Sequence, residues 1–310
     1  MRSRSPSGRG GALARNRPTP SELGRWARAA LTEDRWDRDV TSRAVVPARL
    51  RAVAVVRAQA TGVLAGVPIA VAVARAAGVR IVRRGRDGDR VRNGTAVLVL
   101  EGRARAILAA ERTVLNFLMH LSGVATATAR AVRAVGPQGP EVRATRKTLP
   151  GLRDLEKSAV QAGGGLAHRR DVSAAVLVKN NHLALVPLRV AVRRARRSAR
   201  EVEVEVRSLA EAREAVRCGA TELLLDNRTP VQVRRIVRGL DSAGLRSKVT
   251  IEVSGGITPS TAMRYRSVGA DSLSLGALTH SAPALPMHLE FLSPGARSVR
   301  GTPPRVRPDR

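Results

Sequence analysis

After Pro140 the chain falls into a repeat that leaves few folds open: a short apolar strand, a turn, an amphipathic helix, and the same again. Candidate strands lie at 142–145, 175–179, 202–206, 222–226, 248–253 and 272–275, with helices near 152–162, 187–198, 209–218, 230–240 and 259–268. Apolar strands alternating with helices build a parallel sheet covered on both faces. Six such strands within about 140 residues, with polar residues at their ends, suggest an α/β barrel rather than an open sheet. The doubly wound alternative is weakened because no G-x-G-x-x-G follows the first strand. The only aromatics are Trp26, Trp36, Phe117, Tyr265 and Phe291, so the core has to come from Val, Leu, Ala and Ile.

Ahead of the barrel, residues 21–112 read as a smaller α+β domain. Its first helix starts at Ser21-Glu22-Leu23, with a stripe of Leu23, Trp26, Ala27 and Ala30. An acid-rich loop follows at 33–42, then strands near 50–56, 80–83 and 95–100 and a helix at 68–77. The phrase RDGDRVRNGTAVLVLEG predicts a hairpin. From Arg103 the pattern turns helical, with Gly123 as the expected break and the pair Asn116/His120 on one face. The barrel domain is taken as 113–292. Residues 1–20 and 293–310 read as disordered basic tails, for they lack the periodic apolar residues of a packed element.

A net charge of +30 calls for anionic partners, whether nucleic acid, membrane or phosphorylated metabolites. Single-stranded nucleic acid is disfavoured, because its readers need aromatic platforms; a phosphate-backbone binder stays open, with no motif to support it, and nucleic acid is not the expected partner. The longest apolar run, 62–74, contains Pro68 and is too short for a bilayer. With no apolar leader visible, a cytoplasmic location is expected. Cys218 is the single cysteine, which excludes an internal disulfide and a cysteine-based metal cluster.

In a barrel the chemistry gathers at the carboxyl ends of the strands. Those ends read Arg146-Lys147, Lys179-Asn180-Asn181, Glu205, Asp226-Asn227, Ser254-Gly255-Gly256 and Gly276-Ala277. Basic residues suit an anionic substrate, the two acids suit a metal or a developing cation, and the glycine loops suit a phosphate. Lysine is scarce, with 4 residues against 51 Arg, yet Lys147, Lys157 and Lys179 all fall within 143–182, around a triple glycine. A lysine kept in so arginine-biased a chain marks a place where a compact point charge is needed.

The stretches EDRWDRDVTS, ERTVLNFLMHLSGVAT, ATRKTLPGLRDLEKSAVQAGGG, LVKNNH, VEVEVRSL, LLLDN, EVSGGI and SLGALTHSAP resemble quinolinate phosphoribosyltransferase, the carboxylating nicotinate-nucleotide pyrophosphorylase family, over about residues 21–292. The resemblance implies an N-terminal α+β sandwich domain followed by an incomplete α/β barrel, the type II phosphoribosyltransferase architecture. It implies a homodimer with shared active sites. It also implies a pentosyltransferase reaction of de novo NAD biosynthesis: quinolinate, phosphoribosyl pyrophosphate and Mg²⁺ give nicotinate mononucleotide, pyrophosphate and CO₂. By the same resemblance Arg112, Arg146, Lys147, His168, Arg169 and Lys179 bind substrate, with Arg112 crossing the dimer. Glu205 and Asp226 attend the ribose and hold Mg²⁺, while Lys147, Glu205 and Asp226 form the catalytic set. Ser254, Gly255, Gly256, Gly276 and Ala277 take the 5′-phosphate.

Four residues at three sites depart from the family pattern. Asn180 stands where an acid is usual, Arg38 replaces a glycine, and Arg170-Asp171 follows His168-Arg169. The extra Arg170 and Asp171 could pair with each other or reshape the acid pocket. Two other readings stay open: a divergent paralogue acting on another aromatic carboxylate, and a degenerate homologue that only binds anions or nucleic acid.

Overall fold

The structure, a computed structural model, describes residues 18–169, 171–173 and 175–292. Arg170 and, apart from residues 18–20, the two basic tails lie outside the described residues.

Helix α1 (Pro20–Glu33) begins one residue before Ser21, under a capping box in which Glu22 N donates to Thr19 Oγ1 and Thr19 N donates to Glu22 Oε2. The acid-rich segment expected as a loop folds instead into a 3₁₀ turn (Trp36–Arg38) and a short helix, α2 (Val40–Val45). Its acids have a local use: Asp39 caps α2 by accepting Ser42 N at 2.9 Å.

Strands β1 (Arg51–Ala58) and β2 (Gly62–Val63), helix α3 (Val67–Ala76), and strands β3 (Arg80–Arg84), β4 (Arg90–Val91) and β5 (Ala96–Arg103) complete the first unit. The predicted turns are present, but the hairpin is not. β5 pairs antiparallel with β1 on one side and β3 on the other, which leaves no edge for β4; β4 pairs with β2.

Helix α4 (Ala104–Val135) runs through Gly123 without a break and through the boundary expected at residue 112. Gly123 serves close approach: a Cβ there would lie 2.2 Å from the Pro283 carbonyl oxygen.

The second unit comprises β6 (Glu141–Arg143), α5 (Arg153–Ala162), β7 (Val176–Val178), α6 (Asn180–Leu183), α7 (Leu188–Ser198), β8 (Val202–Glu205), α8 (Leu209–Arg217), β9 (Glu222–Asp226), α9 (Pro230–Ser242), β10 (Thr250–Ser254), β11 (Ser272–Ser274) and α10 (Ala277–His280). Its sheet is parallel, in the order β6-β11-β10-β9-β8-β7. That is sequence order wrapped into a ring and cut once, between β6 and β7. This is an incomplete α/β barrel with one seam. Leu166 bridges to Arg143 in parallel, so the segment leading to His168 runs along the β6 side of the seam.

The helix expected at 259–268 is only a 3₁₀ turn, Ala262–Tyr265. The hydroxyls of Thr258 and Thr261 bond each other and the local backbone, which offers the chain an alternative to a helical ladder. Strand β12 (Met287–Phe291), not foreseen, returns to pair with β1 and covers that edge of the first sheet. The end of the barrel segment therefore belongs structurally to the first unit.

Strand alternation sorts the barrel residues into two sets. Val202, Val204, Leu223, Leu225, Ile251, Val253 and Leu273 are wholly buried under the outer helices. The residues between them, Glu203, Glu205, Glu222, Asp226, Glu252 and Ser254, share the other face, towards the barrel interior.

Candidate active site

One cavity of about 550 Å³ opens at the seam, lined by Arg146, Arg169, Lys179, His182 and the apolar stretch 175–178. Arg146 follows β6 and Lys179 follows β7, the two edges of the cut, while Arg169 comes from the segment between them. The cut in the sheet thus brings three cations into one hollow. His182, one turn beyond Lys179, accepts Lys179 N on Nδ1 at 2.9 Å. Sequence reading did not single it out, although its place in K-N-N-H was the available signal.

The loop carrying His168 and Arg169 is held from below by Lys157, which is fully buried. Its Nζ donates to the carbonyls of Ala167, His168 (2.7 Å) and Arg169 (2.8 Å), using all three ammonium hydrogens. Burial and the nearby Arg153 push this amine down to about 8, so it is still charged at neutral pH. The lysine signal was therefore real, but Lys157 binds backbone and not substrate. His168 sits at φ +32°, a strained conformation that this anchoring sustains. The triple glycine is likewise a packing feature: a Cβ on Gly163 would come within 2.4 Å of the Ala125 carbonyl of α4.

Below the rim lies a ring of charges that the sequence did not reveal. Arg143 Nη1 donates to Glu222 (2.8 Å) and Glu252 (3.1 Å), and His168 Nε2 stands 3.5 Å from Glu252. Burial, then the Arg143 charge, push His168 down to about 4, which keeps it neutral at physiological pH. Glu203, 6% exposed, is pushed up to about 9 by burial and by Glu252 and Glu222. Its Oε1 has no partner among the described residues. His168, Glu203 and Glu252 could in geometry surround a metal ion, but Arg143 already supplies the cation there.

The remaining predicted residues ring the rim. Glu205 ends β8 and accepts from both the backbone N (3.2 Å) and the side-chain amide of Asn180. Asp226 ends the neighbouring β9 and accepts Asn227 Nδ2 at 2.7 Å. Each carboxylate keeps lone pairs beyond those bonds, and an all-oxygen pair suits a hard ion such as Mg²⁺. Ser254-Gly255-Gly256 follows β10, tied to the β9 end through Asn227 N and the Ser254 carbonyl (2.8 Å). Gly276 and Ala277 open α10, and the Lys147 side chain packs over Gly276: a Cβ there would meet Lys147 Cδ at 2.9 Å. Thr279 Oγ1 fixes the Lys147 carbonyl at 2.6 Å.

Arg112 is exposed on α4 and does not line the cavity. Of the pair on that helix, Asn116 is exposed, whereas His120 bonds the buried Glu156 at 2.8 Å. Glu156 in turn accepts Leu149 N at 3.2 Å beneath the 148–151 turn, a structural role.

Residues 39–122 match the model of the quinolinate phosphoribosyl transferase N-terminal domain, and residues 124–290 that of its C-terminal domain. A probable carboxylating nicotinate-nucleotide pyrophosphorylase of Archaeoglobus fulgidus is 41% identical over 242 residues, 77% of this chain and 94% of that protein. The carboxylating nicotinate-nucleotide pyrophosphorylase of Mycobacterium leprae is 40% identical over 273 residues, 85% and 95% of the two chains. Among solved structures, NadC from Streptococcus pyogenes superposes with a TM-score of 0.81 at 37% identity, covering 89% of this chain and 99% of that one.

Proposed function

The chain belongs to the quinolinate phosphoribosyl transferase family, and from that premise we infer that it transfers phosphoribose from phosphoribosyl pyrophosphate to quinolinate, with decarboxylation, in NAD biosynthesis. One observation supports this reading best: Arg146, Arg169 and Lys179 converge on a single cavity, and Asn180, next to Lys179, binds Glu205 at the end of the adjacent strand β8. Quinolinate has two adjacent carboxylates. Two guanidinium forks and an ammonium are the donor set for a dicarboxylate, and the flat apolar wall at 175–178 suits its ring.

In this reading each group has one task. Clamped by its carboxylates, the pyridine presents its ring nitrogen to the ribose C1 near Lys147 and Glu205. The nitrogen's lone pair forms the new N–C1 bond as the C1–O bond to pyrophosphate breaks. Negative charge from Glu205 and Asp226 stabilises the oxocarbenium-like character of the ribose in that transition state. The same two acids would hold Mg²⁺, which supplies charge neutralisation for the pyrophosphate. Backbone N–H groups of Ser254-Gly255-Gly256 and Gly276-Ala277 cradle the 5′-phosphate. When the adjacent carboxylate departs as CO₂, its bonding electron pair stays on the ring carbon as a carbanion stabilised by the neighbouring cationic nitrogen, and that pair takes up a proton. No covalent enzyme intermediate is required; position and field do the work.

Arg112, away from its own cavity, reaches the site of the partner in a homodimer. The described residues contain no helix long and apolar enough to cross a membrane. The test is pyrophosphate and CO₂ release by the purified chain with Mg²⁺, phosphoribosyl pyrophosphate and quinolinate, with nicotinate in parallel. Both products should appear with quinolinate only, and Lys147→Ala or Glu205→Ala should lower turnover by orders of magnitude in a folded protein. Wild-type rates in either variant overturn the assignment of roles. Silence with quinolinate moves the substrate to another aromatic carboxylate.

A further inference from the structure

The barrel's outer layer carries charge that this reaction does not use. Helix α7 holds Arg193, Arg194, Arg196 and Arg197 on exposed positions, with Arg189 before them and Arg200 just beyond its end, and no acid between 188 and 200. Among the described residues its one ion pair is Arg189 with Glu214, at 3.7 Å. Arg196 turns back to the carbonyls of Ala199 and Arg200 and closes the helix end. Neighbouring α8 and α9 continue the basic face with exposed Arg217, Arg235 and Arg238.

The acids along this face, Glu201 beside Arg200, Glu211 and Glu214 on α8 and Asp241 on α9, are outnumbered by its arginines. Glu156, Glu203 and Glu252 are buried, and Glu222 faces Arg143 within the barrel.

We propose that the α7 face, continued by the arginines of α8 and α9, binds the phosphate backbone of duplex nucleic acid without reading its sequence. The chemistry of the face selects this partner. A membrane-binding helix needs an apolar side to insert, but α7 turns Val192 into the core against β7, β8 and α8, and Val190, 37% exposed, is its one exposed large apolar residue. A single strand needs aromatic platforms, and α7, α8 and α9 contain no aromatic residue. What is left is rows of guanidinium groups four residues apart along a helix roughly 16 Å long. Such rows can pair with phosphates placed every ~3.4 Å along each strand.

The experiment is fluorescence anisotropy of a labelled 20-base-pair duplex with the full chain over a salt series, with phosphatidylglycerol vesicles as a second arm. The variant is Arg193→Gln/Arg194→Gln/Arg197→Gln with both tails intact. At 0.15 M salt it should lose at least about ten-fold in affinity, and its log–log salt slope should become shallower by about 3. Pyrophosphate release should stay at the wild-type rate, which shows that the fold and the active site are intact. Equal affinity and slope in the variant would overturn the proposal and assign binding to the basic tails. Tighter binding to vesicles than to the duplex at equal salt overturns it in favour of a lipid surface, and no duplex binding by the wild-type chain overturns it outright.

Discussion

Three carbonyl oxygens converge on Lys157 Nζ, and a compact ammonium with three donors fits them where a planar guanidinium does not. Because these carbonyls belong to residues 167–169, Lys157 sets the position of Arg169 in the cavity. Lys157→Arg should therefore raise the KM for quinolinate several-fold while leaving that for phosphoribosyl pyrophosphate nearly unchanged. Lys157→Met, which strands three buried acceptors, should cost about 3 kcal/mol or more of stability. Steady-state kinetics and denaturant unfolding check both, and equal shifts in the two KM values would count against the positioning role. Glu203 makes an independent prediction with a definite sign. Burial and the neighbouring Glu252 and Glu222 push its carboxyl up to about 9 in the folded chain, from an ordinary 4.5. The folded state thus holds a proton that the unfolded state releases, and the stability linked to it is full below about 4.5 and is lost as pH rises towards 9. Glu203→Gln removes that dependence. Its melting temperature should exceed the wild type's by a margin that widens from pH 5 to pH 9, and parallel curves would contradict it. His168 acts at the other end: with its folded pKa pushed to about 4, stability falls as pH drops below the ordinary imidazole range.

Among the elements, α4 is the spine that both units share, and the segment carrying β12 home crosses it at Gly123. Leu285 N donates to the Met119 carbonyl at 2.9 Å, and the Pro283 carbonyl occupies the space of a missing Cβ. Gly123→Ala improves helix propensity by about 1 kcal/mol, yet it forces backbone against backbone. It should lower stability by roughly 1–3 kcal/mol net, seen as a fall in melting temperature; an unchanged or higher value would show that the crossing yields easily. The same crossing marks the limit of what the sequence made legible. Strands β8, β9 and β10 and helices α5, α7, α8 and α9 lie where periodicity put them, because side-chain spacing of 2 or 3.6 is a local property. Pairing is not local. Nothing within RDGDRVRNGTAVLVLEG states that β5 already has two partners, and nothing near residue 287 announces a strand whose mate begins at residue 51. Gly123 looked like a helix breaker because the atom that requires it is 160 residues away in the chain.

At the scale of the whole molecule, the rim residues were legible because a barrel puts its site at strand ends, and strand ends can be read from sequence. The charged ring beneath was not, since Arg143, Glu222 and Glu252 show up in a sequence only as three unrelated charges. The spacing of VEVE did hold a clue: Glu203 shares a face with Glu205 one layer lower. Asn180 shows the reverse case. In sequence it looked like a lost acid beside Lys179, whereas in the fold it donates to Glu205 and holds that carboxylate at the rim. Arg112 is the residue that a single chain leaves unexplained, exposed on α4 and absent from its own cavity. If two chains share their sites across a twofold axis, inactivating lesions at Arg112 and Lys147 in different chains must complement. In a heterodimer of Arg112→Ala with Lys147→Ala, one site loses both side chains and the other keeps both. Random pairing makes half the dimers mixed, so co-expressed variants should recover about a quarter of wild-type turnover. The two variants purified separately should each stay near zero, and isolating the mixed dimer by two different tags should raise the recovery to about half. No recovery from a verified heterodimer would put Arg112 outside the partner's site and require each cavity to close with the residues of its own chain.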